Sequence, residues 1–304
     1  MPGKAKRTKV RAGLKSPLES MYGAQSLTAS KIISAQTKSS KQWEREFREQ
    51  EAREREIAKQ YAPLNAALRD TLGKDERVAE TVRGLRSLAK RHSGEKLPEP
   101  KVEPVEPREF LGSIGATVVP PFPAQYPWKA TKGDPYVYTL PNGAAGTLQF
   151  NLGSNPDYYS SASAFVEIGF HLRPVTNGTL KLTSGPSFNY SWSTYCAFAP
   201  AHSDGWIGLR VDRYNLTSGA LEGTPIAQKN YLWNHDYYWY GAVDSGSNSN
   251  YRLAAQLTVD TNHIYGIWVW CGGRIAAEGY HTVYTSSANS TMKVAVPFIT
   301  WELV

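Results

Sequence analysis

In the stretch Phe165-Val-Glu-Ile-Gly-Phe-His-Leu172, Val166, Ile168, Phe170 and Leu172 alternate with Phe165, Glu167, Gly169 and His171. Successive side chains of a β-strand point to opposite faces, so a period of two marks a strand. The same period recurs downstream. Trp206, Gly208 and Arg210 alternate with Ile207, Leu209 and Val211, and Leu253, Ala255, Leu257 and Val259 with Arg252, Ala254, Gln256 and Thr258. Ile267, Val269 and Cys271 alternate with Trp268 and Trp270, and Met292, Val294, Val296 and Phe298 close the series. Turn clusters such as Asn142-Gly, Thr176-Asn-Gly, Ser184-Gly-Pro and Ser245-Gly-Ser-Asn-Ser-Asn separate these runs. About ten strands and no useful helical period predict a mainly β fold, an antiparallel β-sandwich or jelly roll, over residues 110–304.

Composition divides the rest. Residues 1–110 carry 24 basic and 16 acidic residues, whereas residues 111–304 carry 10 and 11. Of the 36 aromatic residues, 31 lie in the second part. Residues 1–41, with nine basic residues and one acid, predict a flexible basic arm. Its Lys4, Lys6, Arg7, Lys9, Arg11 and Lys15 are candidates for binding an anion, either nucleic acid or an anionic surface. The bland alternative is a solvated tail or a localisation signal.

Residues 42–94 read as charged amphipathic helices. Glu44–Arg48, Glu49–Arg53 and Glu51–Arg55 are i,i+4 pairs in the favourable order. Trp43, Phe47, Ile57, Tyr61, Leu64 and Leu68 make a thin apolar stripe, and Pro63 is expected to break or kink it. A second helix is expected from Lys74 or Asp75 to about Arg91, with Asp75 as its cap. Helices with one thin stripe need a partner: each other, another copy, or a second protein through residues 42–91. Residues 95–109, with Pro98, Pro100, Pro104 and Pro107, read as an extended linker.

Several classes are excluded or disfavoured. No apolar run approaches the length of a membrane-spanning helix, and two Cys cannot make a disulfide-dense scaffold or a four-Cys zinc site. Cys196 and Cys271 read as buried free thiols. The start lacks the apolar core of a signal peptide, so the default compartment is cytoplasmic, with release by a specialised system or by lysis left open. None of the six His has a metal-site spacing, and no cofactor is implied. His202-Ser-Asp204 and His235-Asp236 are the only His–carboxylate neighbours, and neither has a nucleophile motif beside it. A catalytic role is therefore not expected.

The most unusual stretch is Tyr231-Leu-Trp-Asn-His-Asp-Tyr-Tyr-Trp-Tyr240. Aromatic rings offer flat faces to sugars, interfaces or membranes, and Asn234, His235 and Asp236 supply polar partners. Trp233, Asn234, His235, Asp236, Tyr237, Tyr238, Trp239 and Tyr240 are the candidate ligand-binding residues. A strand cannot bury both faces against one core, so part of this run should be exposed or meet another chain. Pro120-Pro-Phe-Pro-Ala-Gln-Tyr-Pro-Trp128 is a second aromatic patch, expected to shield a sheet edge. In composition the β-body resembles lectin-like and carbohydrate-binding jelly rolls. That resemblance implies recognition of a glycan or a surface, and with the helices and the lack of a catalytic motif it gives a non-enzymatic binding protein carried on a helical oligomerisation or docking stalk. A structural virion or particle component with a basic arm, and a secreted toxin or effector acting at membranes, are the alternatives.

Overall fold

Alternation of apolar side chains gives one buried face per strand, and antiparallel pairing assembles those faces into a sandwich. The structure, a computed structural model, describes residues 29–72, 74–81, 83–84, 97–101, 114–154, 159–197, 199–237, 242–278 and 285–304. Within them lie one long helix, α1 (Ala29–Leu72), and fifteen strands, all paired antiparallel.

The central sheet runs β10 (Asn230–Tyr237), β8 (Ala201–Asn215), β13 (His263–Ala277), β5 (Ser160–Leu172) and β2 (Ala124–Lys132), with β9 (Leu221–Ala227) also on β8. A facing sheet runs β11 (Ala242–Asn248), β7 (Ser187–Ala197), β14 (Thr285–Ala295), β4 (Thr147–Gly153) and β3 (Tyr136–Asn142). A smaller sheet runs β1 (Ile114–Val118), β15 (Ile299–Leu303), β6 (Gly178–Ser184) and β12 (Leu253–Val259). The main core fills the space between them. The central sheet gives it Val166, Ile168, Phe170, Ile207, Leu209, Val211, Ile267 and Val269, and the facing sheet gives Leu148, Phe150, Leu152, Met292 and Val294. Trp192 and Trp301 are buried there as the sequence suggests, and so are Cys196 and Cys271, neither of them in a disulfide. The two Cys sit on strands of different sheets, β7 and β13.

The other face of the central sheet is buried too. The residues of opposite parity include Phe165, Trp206 and Trp270, which with Trp128 form a second apolar cluster capped by Phe47 and Trp43 of α1. The Trp43 ring lies 5.6 Å from Phe165 and 5.9 Å from Trp270, and Phe165 stacks on Trp128 at 5.3 Å. Trp43 and Phe47 are one helical turn apart, so one face of α1 presents both rings together. Gly208 makes room beside this cluster. A Cβ there would stand 1.9 Å from the Gln228 carbonyl, which accepts a 2.9 Å hydrogen bond from the Trp270 indole. That crossover holds the Lys229 ammonium over the Trp206 ring at 4.5 Å.

Four expectations from the sequence change. The helix begins at Ala29, inside the segment expected to be an arm, and runs through Pro63 without ending. Pro63 lies on an exposed stretch, where water can serve the carbonyl it leaves unpaired. Trp43 and Phe47 of the stripe pack on this chain's own sheet, a partner the sequence reading did not name. The Pro-rich aromatic patch does not merely shield an edge, because residues 124–128 of it open the edge strand β2. Downstream, Asp75 accepts a hydrogen bond from the Arg77 N–H at 2.9 Å and opens the helical residues 76–81. Lys4, Lys6, Arg7, Lys9, Arg11 and Lys15 lie outside the described residues, as do most of the rest of the second helix and of the linker. The linker residues that are described touch the facing sheet, where the Pro98 carbonyl accepts from Asn189 at 3.0 Å and Glu99 pairs with Lys293.

Farther along the outer face of the central sheet, Arg210 holds two carboxylates, Glu167 at 2.8 Å and Asp212 at 2.7 Å. One cation cannot neutralise two buried anions. Burial, together with the neighbouring Asp212 charge, lifts Glu167 to about 7 against the pull of Arg210. A carboxyl whose folded pKa lies above its unfolded value binds its proton more tightly in the native state, so it subtracts stability as pH rises between the two values. Glu167→Gln should therefore flatten the dependence of the thermal midpoint on pH between pH 4.5 and 7 and run parallel to wild type above that window. Curves parallel throughout would show that Glu167 stays ionised.

Candidate functional site

The candidate site lies at the end of the central sheet nearest β10. In β8, His202 and Asp204 are two residues apart and so share the outer face. β10 lies antiparallel beside them, with Asp236 opposite His202 and Asn234 opposite Asp204. A bulge between Tyr231 and Trp233 sets this arrangement. It places Tyr231, Asn234 and Asp236 on the outer face and turns Trp233 and His235 inward. Trp233 is 4 % exposed, and its ring lies so close to the β8 backbone that a Cβ on Gly205 would stand 2.1 Å from it. Inside, Trp233 stacks on Tyr190 at 4.9 Å and His235 on Trp192 at 4.5 Å.

The expected ligand-binding run thus divides by face. Asn234 and Asp236 reach the outer surface, while Trp233 and His235 belong to the interior. Tyr237 ends β10, and Tyr238, Trp239 and Tyr240 lie outside the described residues. The sequence reading passed over Tyr231, which is 51 % exposed, and set aside Arg274 within Cys271-Gly-Gly-Arg274. Arg274 stands opposite Asp204 on the neighbouring strand β13.

His202 is clamped by two carboxylates. Its Nδ1 lies 2.6 Å from Asp236 Oδ1 and its Nε2 lies 3.1 Å from Asp204 Oδ2. Burial works against the imidazolium, but the hydrogen bonds and charges of Asp204 and Asp236 outweigh it and raise His202 to about 9. The His202 hydrogen bond in turn holds Asp236 below the usual carboxylate range. An imidazole that stays protonated at neutral pH, with both nitrogens engaged, is a fixed cation rather than a general base.

Together these residues form the sheet side of a cleft of about 310 Å³, and α1 supplies the opposite wall with Gln50, Arg53, Glu54 and Ile57. Arg274, 4 % exposed, pairs with Glu54 across the cleft. Burial lowers the Arg274 guanidinium to about 10. Two floor atoms, Asp204 Oδ1 and Arg274 Nη1, are buried without a hydrogen-bond partner. Tyr159 and Glu278 also line the cleft, and burial raises Glu278 above the usual carboxylate range. Among the described residues no group of His, Cys, Asp and Glu is arranged to hold a metal ion, and no helix is long and apolar enough to cross a membrane.

The His202 clamp has a direct test. Its imidazole should titrate near 9 by NMR, and Asp236→Asn should move that value down. Because the folded value is raised, the clamp's stability is fully present below pH 6.5 and is lost as pH rises through 9. The stability gap between wild type and His202→Gln should close over that same range. An imidazole that titrates at or below 6.5 would contradict the clamp.

No family model and no curated protein matches this chain. Among solved structures it is similar to the CBM22-1–GH10 modules of a Clostridium thermocellum endo-1,4-beta-D-xylanase complexed with xylohexaose. That likeness has 8% identity and a TM-score of 0.15, and it covers 55% of this chain and 26% of that one. The CBM22-1 xylan-binding domain of Paenibacillus barcinonensis Xyn10C is similar at 9% identity and a TM-score of 0.14, covering 56% of this chain and 85% of that one. A family 11 carbohydrate-binding module of Clostridium thermocellum in complex with a mixed-linked tetrasaccharide gives 10% identity and a TM-score of 0.16, covering 57% and 87%. The chain thus spans about a quarter of the first of these structures. At such TM-scores the likenesses carry no argument about the site, and the antiparallel β-sandwich stands on the strand pairing described above.

Proposed function

We propose that the protein is a non-enzymatic binding protein and that the cleft between α1 and the central sheet takes a glycan. The observation that carries this reading is the pair of unsatisfied floor atoms. Asp204 Oδ1 can only accept a hydrogen bond and Arg274 Nη1 can only donate one, and they stand on neighbouring strands. A sugar hydroxyl both accepts and donates, so the hydroxyls of a sugar supply partners for both atoms. Leaving such groups unpaired in a buried site costs about 1–3 kcal/mol each, which a fitting ligand recovers. Tyr231 stands exposed beside them and offers a ring face to the apolar side of a pyranose, and Asn234 adds an amide that can donate and accept.

The non-enzymatic half of the reading rests on His202, which is held as a cation, and on Ser203, which is turned inward. The Ser203 hydroxyl donates to the Asn289 carbonyl and accepts from the Trp233 indole, so it is no nucleophile at the cleft.

A glycan array probed with the full chain tests the proposal. Binding to a defined set of oligosaccharides is expected, with affinity falling about tenfold or more in Tyr231→Ala and in Asn234→Ala. An array without any bound glycan, or variants that bind as well as wild type, would overturn the assignment. Release of reducing ends from a bound oligosaccharide would overturn the non-enzymatic half alone.

A further inference from the structure

We propose that α1 is a lever that gates the cleft, pivoting on Trp43 and Phe47 and latched by Glu54 on Arg274. This inference rests on the reading of the cleft as the binding site and adds how that site opens.

The two ends of the docked segment are held by different forces. At the pivot, Trp43 and Phe47 sink into the cluster of Trp128, Phe165, Trp206 and Trp270, an apolar contact that salt does not weaken. At the other end, over about 6–12 Å of helix axis beyond Phe47, the attachments are electrostatic. Glu51 pairs with Lys132 of β2, Glu54 pairs with Arg274 of β13, and the Arg55 guanidinium lies 4.8 Å from the centre of the Tyr159 ring. Among the described side chains of α1, no large apolar one is buried at this end. Ile57 is 40 % exposed and, farther on, Leu64 is 50 % exposed. The cleft lies directly under the electrostatic end, with Glu54 forming part of its wall.

Such an arrangement opens at one end. Ion pairs weaken as salt screens them, whereas an aromatic cluster holds, so the helix swings about the rings instead of leaving. The latch also competes with the ligand. Arg274 is a buried cation whose charge is met by a carboxylate that belongs to the moving element, and lifting Glu54 away leaves the guanidinium needing oxygen partners. Water or a sugar oxygen in the opened cleft supplies them. Glu54 therefore occupies part of the place a ligand would take, and its removal should raise access to the cleft.

Thiol labelling measures that access without any sugar, so its outcome is independent of the glycan array. Ala276 lies on the cleft lining and is 7 % exposed. The full chain carrying Ala276→Cys is treated with a maleimide at low salt and at about 1 M NaCl, with and without Glu54→Gln. Labelling at position 276 is expected to be roughly fivefold faster or more in the Glu54→Gln background, and its acceleration by high salt is expected to be smaller there than while Glu54 is present. The native thiols serve as the folding control. Cys196 and Cys271 are buried and burial pushes both thiols up, so they should stay unlabelled in every sample, including Glu54→Gln alone. Equal labelling rates with and without Glu54 and salt would overturn the lever. So would faster labelling at 276 that is matched by labelling of the native thiols, because then the whole fold opens rather than the helix.

Discussion

A sheet with large apolar side chains on both faces needs two covers. The central sheet has them. One face presents Val166, Ile168, Ile207, Leu209, Ile267 and Val269 to the facing sheet, and the other presents Phe165, Trp206 and Trp270 to α1. Each aromatic ring buries roughly 150–250 Å², so an uncovered outer face would leave several hundred Å² of apolar surface in water. Trp43 and Phe47 supply the cover, and the consequences follow from where they sit. They fix the helix across the sheet at one point, and the geometry of an α-helix then carries Glu51 and Glu54 toward Lys132 and Arg274. The cleft is the space left where the apolar contact ends and the charged contact begins.

The same outer face collects the buried charges. Even-numbered positions of β8 carry His202, Asp204, Arg210 and Asp212 in one line, with Trp206 and Gly208 between them. Each cation meets carboxylates: His202 has Asp204 and Asp236, and Arg210 has Glu167 and Asp212. Arg210 additionally faces the rings of Trp43 and Phe165. Charges buried in pairs are expensive to expose singly, so removing one member of either cluster leaves an uncompensated buried charge. The Arg274 pair differs because one partner sits on the helix. It is the place where the charge pattern of the body depends on an element that docks from outside.

Much of the β-body was legible in the sequence. Period-two alternation located the long strands because a half-buried strand writes its faces directly into the residue order. The second cover was less legible. Trp268-Val-Trp270 and Trp206-Ile-Gly-Leu-Arg210 carry large or charged side chains on both parities, and that pattern already requires burial on two sides. Composition drew attention away from it, because the charged helix looked self-solvating and, among its described side chains, Trp43 and Phe47 do the apolar docking. His202-x-Asp204 was legible as a shared face, whereas Asp236 as its partner was not. That pairing depends on the register between β8 and β10 and on a bulge, and neither is written in local sequence. Arg274 was hidden for the same reason, since only strand pairing places it opposite Asp204. The division of the aromatic run, with Trp233 inside and Tyr231 outside, likewise follows from the bulge.

The role of α1 as the second cover is tested most directly by placing a charge in its apolar anchor, with Phe47→Asp in the full chain and every Trp retained. If the outer face depends on this helix, tryptophan emission should shift to the red as Trp206 and Trp270 meet water, and the thermal midpoint should fall by several degrees. Emission and midpoint both unchanged from wild type would contradict it.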